Sequence, residues 1–270
     1  MSGDLRERMR AFYGGSAEYL ALLEAHDEQF LAAYVNAVLR FIPPQSRALE
    51  IGGGNGVAAR MLQQAGMDMV CAEISPLFLS KAAEWQTDRL AYAAADGLQL
   101  PFPDEAFDAV CSNEYIEHTA DAEAALQEMA RVTAPNGRVL IAGPNLCSPF
   151  IPLRELAHRL RRRDIPYIWT NSKRDALQKI WQNARTVGAK KRKGQPSFLY
   201  REPELEKPAV GGDADSAYIS ATVDLEQWFQ ARGWKLLALT APVSWKGRLM
   251  GRFAPRYSPH LCVAAQKPGD

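Results

Sequence analysis

The segment Ala48-Leu-Glu-Ile-Gly-Gly-Gly-Asn-Gly56 holds the residues best suited to cradle a ligand. Glycine at 52, 54 and 56 lets the backbone take positive φ and approach a bound molecule with no Cβ in the way. A single glycine of this kind would read as a tight turn. Three at alternate positions in one strand-to-helix junction point to a ligand loop, because open parallel sheets bind ligands at the carboxyl ends of their strands. The dinucleotide fingerprint fails: counted from Gly52, the third glycine of G-x-G-x-x-G falls on Val57. The P-loop fails too, since no Gly-Lys-Ser/Thr follows. Glu50, two residues before Gly52, opposes a pyrophosphate and suits a cationic or amino-bearing ligand; its other role would be to orient the loop's own N–H groups.

Such residues need a scaffold, and the hydrophobic pattern predicts one. Residues 47–52 read as a strand, Val57–Gln64 as a helix closed by Gly66, and 69–74 as a second strand. A helix at 76–85 starts on Pro76, where the missing N–H costs nothing. Strands at 90–95 and 106–112, a helix at Ala122–Val132 and a strand at 138–142, entered through Pro135-Asn136-Gly137, continue the alternation. A helix at 225–232 with Asp224 as N-cap and strands at 234–240 and His260–Gln266 complete it. The expected fold is therefore a doubly wound, Rossmann-like α/β domain with a seven-stranded, mainly parallel sheet. Apolar residues at helical spacing across 16–41, ended by Pro43-Pro44, predict a long amphipathic helix in an N-terminal cap, 1–44. The sheet domain is expected at 45–148 and 223–270, interrupted by an insertion at 149–222 that breaks the rhythm and reads as a helical lid. Helices are predicted within it at 152–163 and 171–185.

Composition excludes several classes. Hydrophobic residues make up 47% and charged ones 23%, which supports a packed core and rules out a disordered chain. No apolar run is long enough to cross a membrane, and Met-Ser-Gly-Asp-Leu-Arg-Glu-Arg at the start is too charged for a signal peptide, so the expected location is cytoplasmic. Cys71, Cys111, Cys147 and Cys262 are far apart and form no metal or disulfide framework. Net charge is only +1, yet residues 151–195 carry thirteen Lys and Arg against Glu155, Asp164 and Asp175, a local +10.

The order of these motifs carries a resemblance. Glu50-x-Gly-x-Gly-x-Gly56, the turn Leu100-Pro-Phe-Pro-Asp-Glu-Ala-Phe-Asp108 and the run Met129-Ala-Arg-Val-Thr-Ala-Pro-Asn-Gly-Arg-Val-Leu140 are together similar to the class I S-adenosylmethionine-dependent methyltransferases, in their small-molecule, ubiquinone-biosynthesis-like branch. The resemblance covers residues 47–145. It implies S-adenosylmethionine as cofactor, with Gly52, Gly53, Gly54 and Gly56 around its amino-acid part and ribose. It also implies Glu73 on the ribose diol with Ile74 beside it, Asp96 on the adenine amino group with the Gly97 backbone, and Asn113-Glu114 supporting the pocket. Standing alone, Glu73 and Asp96 would read as solvated strand-end acids.

Methyl transfer is an in-line displacement that depends mostly on positioning, and needs a base only when the nucleophile is protonated. In Ser112-Asn-Glu-Tyr-Ile-Glu-His118, His118 is the leading base candidate, since its reference pKa of about 6.5 suits proton removal near neutrality, and Tyr115 is a weaker one. The bland alternative is that His118 only packs a helix. Asn113-Glu-Tyr115 lacks the proline-rich motif of DNA amino-methyltransferases, no Pro-Cys nucleophile is present, and Gly143-Pro-Asn145 lacks the acidic pair of metal-dependent catechol enzymes. No DNA partner and no metal are expected. The predicted reaction is methyl transfer to an O, N or C nucleophile of a small-molecule acceptor. The alternatives are a lipid-linked or glycan intermediate met at an anionic membrane surface through the basic insertion, RNA as the third-ranked partner, and a cofactor-binding scaffold without catalysis. Asp213, Asp215 and Tyr218 could face the acceptor or form a polar turn.

Overall fold

Alternate residues of a strand point to opposite faces, and both faces of the central strands here are apolar. The computed structural model describes residues 2–15, 27–162, 169–205, 214–240 and 245–269. In chain order the elements are α1 (Ser2–Gly15), α2 (Glu28–Phe41), β1 (Arg47–Ile51), α3 (Val57–Gln64), β2 (Asp68–Glu73), α4 (Pro76–Ala82), β3 (Leu90–Ala94), β4 (Phe107–Asn113) and α5 (Ala122–Val132). They continue with β5 (Thr133–Pro144), α6 (Phe150–Leu160), α7 (Lys173–Lys193), α8 (Thr222–Ala231), β6 (Lys235–Ala238), α9 (Trp245–Phe253) and β7 (His260–Gln266). The seven strands form one sheet in the order β3-β2-β1-β4-β5-β7-β6, with β7 antiparallel to both neighbours. The strand order reverses beside β1, so the carboxyl ends of β1 and β4 open the crevice in which such sheets hold ligands.

The register places Leu49, Ile51, Val110 and Ile141 on one face, against Leu126 and Met129 of α5 and Leu225, Trp228 and Phe229 of α8. Ala48, Met69, Cys71, Cys111 and Leu140 meet Val38 of α2 and Leu62 of α3 on the other. All four cysteines are free and buried. None of the described helices is long and apolar enough to cross a membrane.

Five local expectations change. The N-terminal helix predicted across 16–41 begins at Glu28, where Asp27 caps it by accepting from the Phe30 N–H at 2.8 Å; residues 16–26 lie outside those described. A separate helix, α1, precedes it. The strand predicted at 138–142 runs from Thr133 to Pro144, taking in Pro135-Asn136-Gly137 as an irregularity with Asn136 at φ 61°. Helix α7 continues through Lys190–Lys193 instead of ending at 185, because Lys190 is buried and paired and Gly194, at φ 68°, closes the helix with an N–H to the Lys190 carbonyl.

The fifth change concerns Asp224. It is not an N-cap but lies inside α8, whose cap is Ala221. Its carboxylate is fully buried, accepting from Lys190 Nζ at 2.6 Å, Tyr218 Oη at 3.0 Å and the Ser197 N–H at 3.1 Å. Helix α8 is buried on all sides because α7 covers the polar face that the sheet leaves open, and Gln227 Nε2 donates to the Lys190 carbonyl there. Burial of the ion pair drives the Asp224 carboxyl up, opposed by Lys190. The insertion is thus clamped to the back of α8.

Candidate cofactor and active site

At the end of β1 the chain turns sharply, with Gly54 at φ 55° and Gly56 at φ 75°, a backbone region that side chains with a Cβ rarely adopt. Gly56 caps α3, and a Cβ there would come within 2.7 Å of the Tyr92 ring. It therefore backs the loop, whereas Gly52, Gly53 and Gly54 line a cleft of about 1150 Å³, part of it open to solvent. A Cβ on Gly53 would lie 2.3 Å from Cys71 Sγ, so that glycine serves close packing against β2.

The expected acids converge on this cleft. Glu73 is almost fully buried and uses one oxygen to accept from the Gly54 N–H at 3.0 Å and the other from the Ser75 N–H at 2.9 Å. Burial raises its carboxyl above the usual range while those backbone donors pull it back. Each oxygen retains a second lone pair for a hydroxyl donor. Ile74 lies beside it on the cleft wall. Glu50 is 2% exposed, its Oε2 has no hydrogen-bond partner, and burial pushes its carboxyl up to about 7. Asp96 accepts from the Leu98 N–H at 2.9 Å and pairs with the Arg6 guanidinium of α1 at 2.7 Å. Asn113 and Glu114 line the same wall, with the Glu114 N–H bound to the Ala142 carbonyl at 3.1 Å and its backbone at φ 50°.

Tyr115 packs where two glycines leave room. A Cβ on Gly52 would meet its ring at 2.7 Å, and one on Gly97 would meet its hydroxyl oxygen at 2.1 Å. Burial, with Asp96 nearby, drives the Tyr115 phenol far above its ordinary value. Its contacts are therefore with the loop ends that would carry the cofactor.

His118 also lines the cleft. Its Nδ1 lies 3.0 Å from the Tyr13 hydroxyl of α1 and 3.3 Å from Asp215 Oδ2, and the Tyr13 hydroxyl donates to that same Asp215 oxygen at 2.9 Å. Tyr13 has one hydrogen, and Asp215 takes it. Nδ1 of His118 therefore sits against two oxygens, one of them a carboxylate. Glu117, fully buried, sits 3.9 Å from Nε2.

Helix α1 is the part of the site that sequence reading missed: Arg6, Met9, Arg10 and Tyr13 wall the cleft. Leu5, Met9, Phe12 and Tyr13, at helical spacing, were the available signal, and they pack on Ile74 and Ala217. No described residue of 149–222 lines the cleft directly; Asp215 reaches it through Tyr13 and His118. Tyr218 does not face the acceptor space, being fully buried against Asp224, and Asp213 lies outside the described residues.

Comparison with known proteins agrees with this geometry. Residues 49–141 match the family described as a methyltransferase domain. The demethylmenaquinone methyltransferase of Beutenbergia cavernae is 35% identical over 99 residues, 37% of this chain and 41% of that protein. The Mycobacterium tuberculosis enzyme of the same name is 31% identical over 141 residues, 51% of this chain and 58% of that protein. The chain thus spans about half the length of the curated relatives it matches. An S-adenosylmethionine-dependent methyltransferase from Mesorhizobium loti superposes with a TM-score of 0.53 at 14% identity, covering 88% of this chain and 97% of its own. The [4+2]-cyclase SpnF does so at 0.56 and 16%, covering 90% and 83%. These two likenesses show the fold. Residues 49–141 are thus similar to a methyltransferase domain, and the seven-stranded sheet that holds them has the fold of the S-adenosylmethionine-dependent methyltransferase it superposes on.

Proposed function

We propose that the protein transfers a methyl group from S-adenosylmethionine to an O, N or C nucleophile of a small-molecule acceptor. The observation that carries this reading is the convergence of Gly52–Gly54, Glu73, Asp96 and the unpartnered, buried Glu50 oxygen on one cleft. The residues fit the cofactor: its cationic amino-acid end suits the Glu50 side of the loop, and its ribose diol suits the second lone pairs of Glu73. The bound cofactor supplies an electrophilic methyl on a sulfonium. Asn113, Glu114 and Gly97 complete the pocket, Tyr115 holds the two loop ends in place, and Asp96 is the acceptor for an exocyclic amino group once it shares or releases Arg6.

Acceptor chemistry is assigned to the His118 side of the cleft. Asp215 and Tyr13 hold Nδ1 of His118, so Nε2 is the atom that takes a proton from an O–H or N–H nucleophile. Methionine and tyrosine side chains of α1 exclude water beside it. The relatives named for methylation of demethylmenaquinone support a small-molecule acceptor. Four free thiols suit a reducing, cytoplasmic compartment.

Calorimetry with S-adenosylmethionine and its demethylated product tests the first half of the reading. Binding of both is expected, and binding of neither would overturn it. A screen of phenolic, amine and quinol acceptors tests the second half; binding without turnover on any of them would favour a non-catalytic scaffold.

A further inference from the structure

Outside the cleft, the largest concentration of exposed apolar side chains lies on three basic helices. Helix α7 is anchored to the domain along the stripe Ala176, Asn183, Val187 and Lys190, where Asn183 donates to the Ser148 carbonyl at 2.9 Å and Lys190 meets Asp224. Its opposite stripe carries Arg174, Trp181, Arg185 and Arg192, separated by about two turns, one turn and two turns, with Leu177 alongside. Leu177 is 58% exposed and Trp181 59%, and the Arg185 guanidinium stacks 4.3 Å over the Trp181 ring. On α6, Leu153 and Leu160 stand exposed two turns apart, next to Arg154 and Arg161. On α9, Leu249 and Phe253 stand exposed one turn apart, with Arg252 between them. The turn Pro255–Tyr257 follows α9 and meets α7, and Lys191 Nζ lies 5.8 Å from the Tyr257 ring centroid.

Among the described residues, the outward charge of these helices is basic. Of the two acids described on α6 and α7, Glu155 is buried and turned inward to the Trp169 N–H and Thr170 hydroxyl, and Asp175 is held by the Asn171 N–H and Lys179. No other acid is described on α6 or α7, and no described acid forms an ion pair with Arg154, Arg161, Arg174, Arg185 or Arg192.

We propose that the outer faces of α6, α7 and α9 form a docking surface for the anionic phospholipid headgroups of a bilayer. Exposed leucines ringed by arginine, with tryptophan among them, match a helix lying in the interface: the apolar side chains enter the acyl boundary and the guanidinium groups engage phosphates. RNA fits less well, because base stacking needs flat rings and four of the exposed apolar residues, Leu153, Leu160, Leu177 and Leu249, offer none.

Co-sedimentation of the full chain with vesicles of phosphatidylglycerol and phosphatidylcholine, against pure phosphatidylcholine, tests the proposal. Binding to the anionic vesicles alone, weakening as salt rises, is expected. Arg174→Glu with Arg185→Glu should weaken it by about thirtyfold or more, and Leu177→Ser with Trp181→Ser should also release the protein. All four side chains are exposed, so melting temperature and calorimetric cofactor binding should stay as in the unaltered chain. Absence of binding to anionic vesicles at low salt, binding unchanged in both double variants, or RNA binding through these residues without vesicle binding would each overturn the proposal. Cofactor binding is measured separately, so loss of this surface would leave the proposed methyl transfer standing.

Discussion

The Tyr13 hydroxyl donates to the Asp215 carboxylate at 2.9 Å across 202 positions of sequence, and His118 lies against both. An N-terminal helix, a loop after β4 and the end of the insertion meet only in the folded protein, and their meeting decides where the His118 ring is held. With Nδ1 engaged, His118→Ala should lower turnover of a hydroxyl or amine acceptor by about 10²–10⁴-fold while cofactor affinity changes little. Asp215→Asn should also lower kcat, because the carboxylate that holds the ring nitrogen beside Tyr13 is replaced. Steady-state kinetics, with calorimetry of cofactor binding, checks both. Undiminished turnover in His118→Ala would remove His118 from the reaction.

Gly54→Val should abolish measurable cofactor binding. The position is held at φ 55°, its N–H is committed to Glu73, and it borders the cleft, so a β-branched side chain is strained and also obstructs the approach path. Calorimetry reads the effect directly, and near-normal affinity would displace the cofactor from this loop.

Glu50 gives the cleft a pH dependence of definite sign. Its carboxyl stands at about 7 in the fold against 4.5 as a free side chain, so between those values the folded state holds more protons than the unfolded chain. Its contribution to stability is fully present below pH 4.5 and is lost as pH rises through about 7. Melting temperatures of the ligand-free protein should fall less steeply with pH over that window in Glu50→Gln. Affinity for a cationic cofactor should rise over the same window in the unaltered protein and stay flatter in the variant.

The Lys190–Asp224 pair should be costly to break from one side. Both side chains are buried, so Lys190→Met alone leaves an unpaired carboxylate and should destabilise the protein by about 3–5 kcal/mol. Lys190→Met with Asp224→Leu should recover part of that loss, although the Tyr218 hydroxyl and Ser197 N–H would still lack their acceptor. Denaturant titrations of the two variants compare these directly.

Local information carried far in the sheet domain. β1, α3 and α5 follow from apolar periodicity and their glycine and proline boundaries, and the residues expected to bind cofactor reach one cleft because the carboxyl ends of parallel strands open on the same edge of the sheet. Gly52, Gly53, Gly54, Glu73, Asp96 and Asn113 all reach the cleft, and only Gly56 stands behind it. What the chain could not disclose locally were the polar contacts made at long range. Asp224 reads as a cap until α7 is seen to cover α8, and the helix predicted at 171–185 stops short of Lys190 until that lysine is seen to have a buried partner.

By itself, then, the sequence determined the strand-helix alternation, the glycine loop and the acids at the strand ends, because each depends on side-chain periodicity or on φ values set within a few residues. Only the tertiary structure decided that α1 walls the cleft, that Asp215 and Tyr13 orient His118, and that the basic insertion grips α8 and turns its arginines outward. Those outcomes depend on which buried polar group finds a partner, and the partners stand up to 202 residues apart.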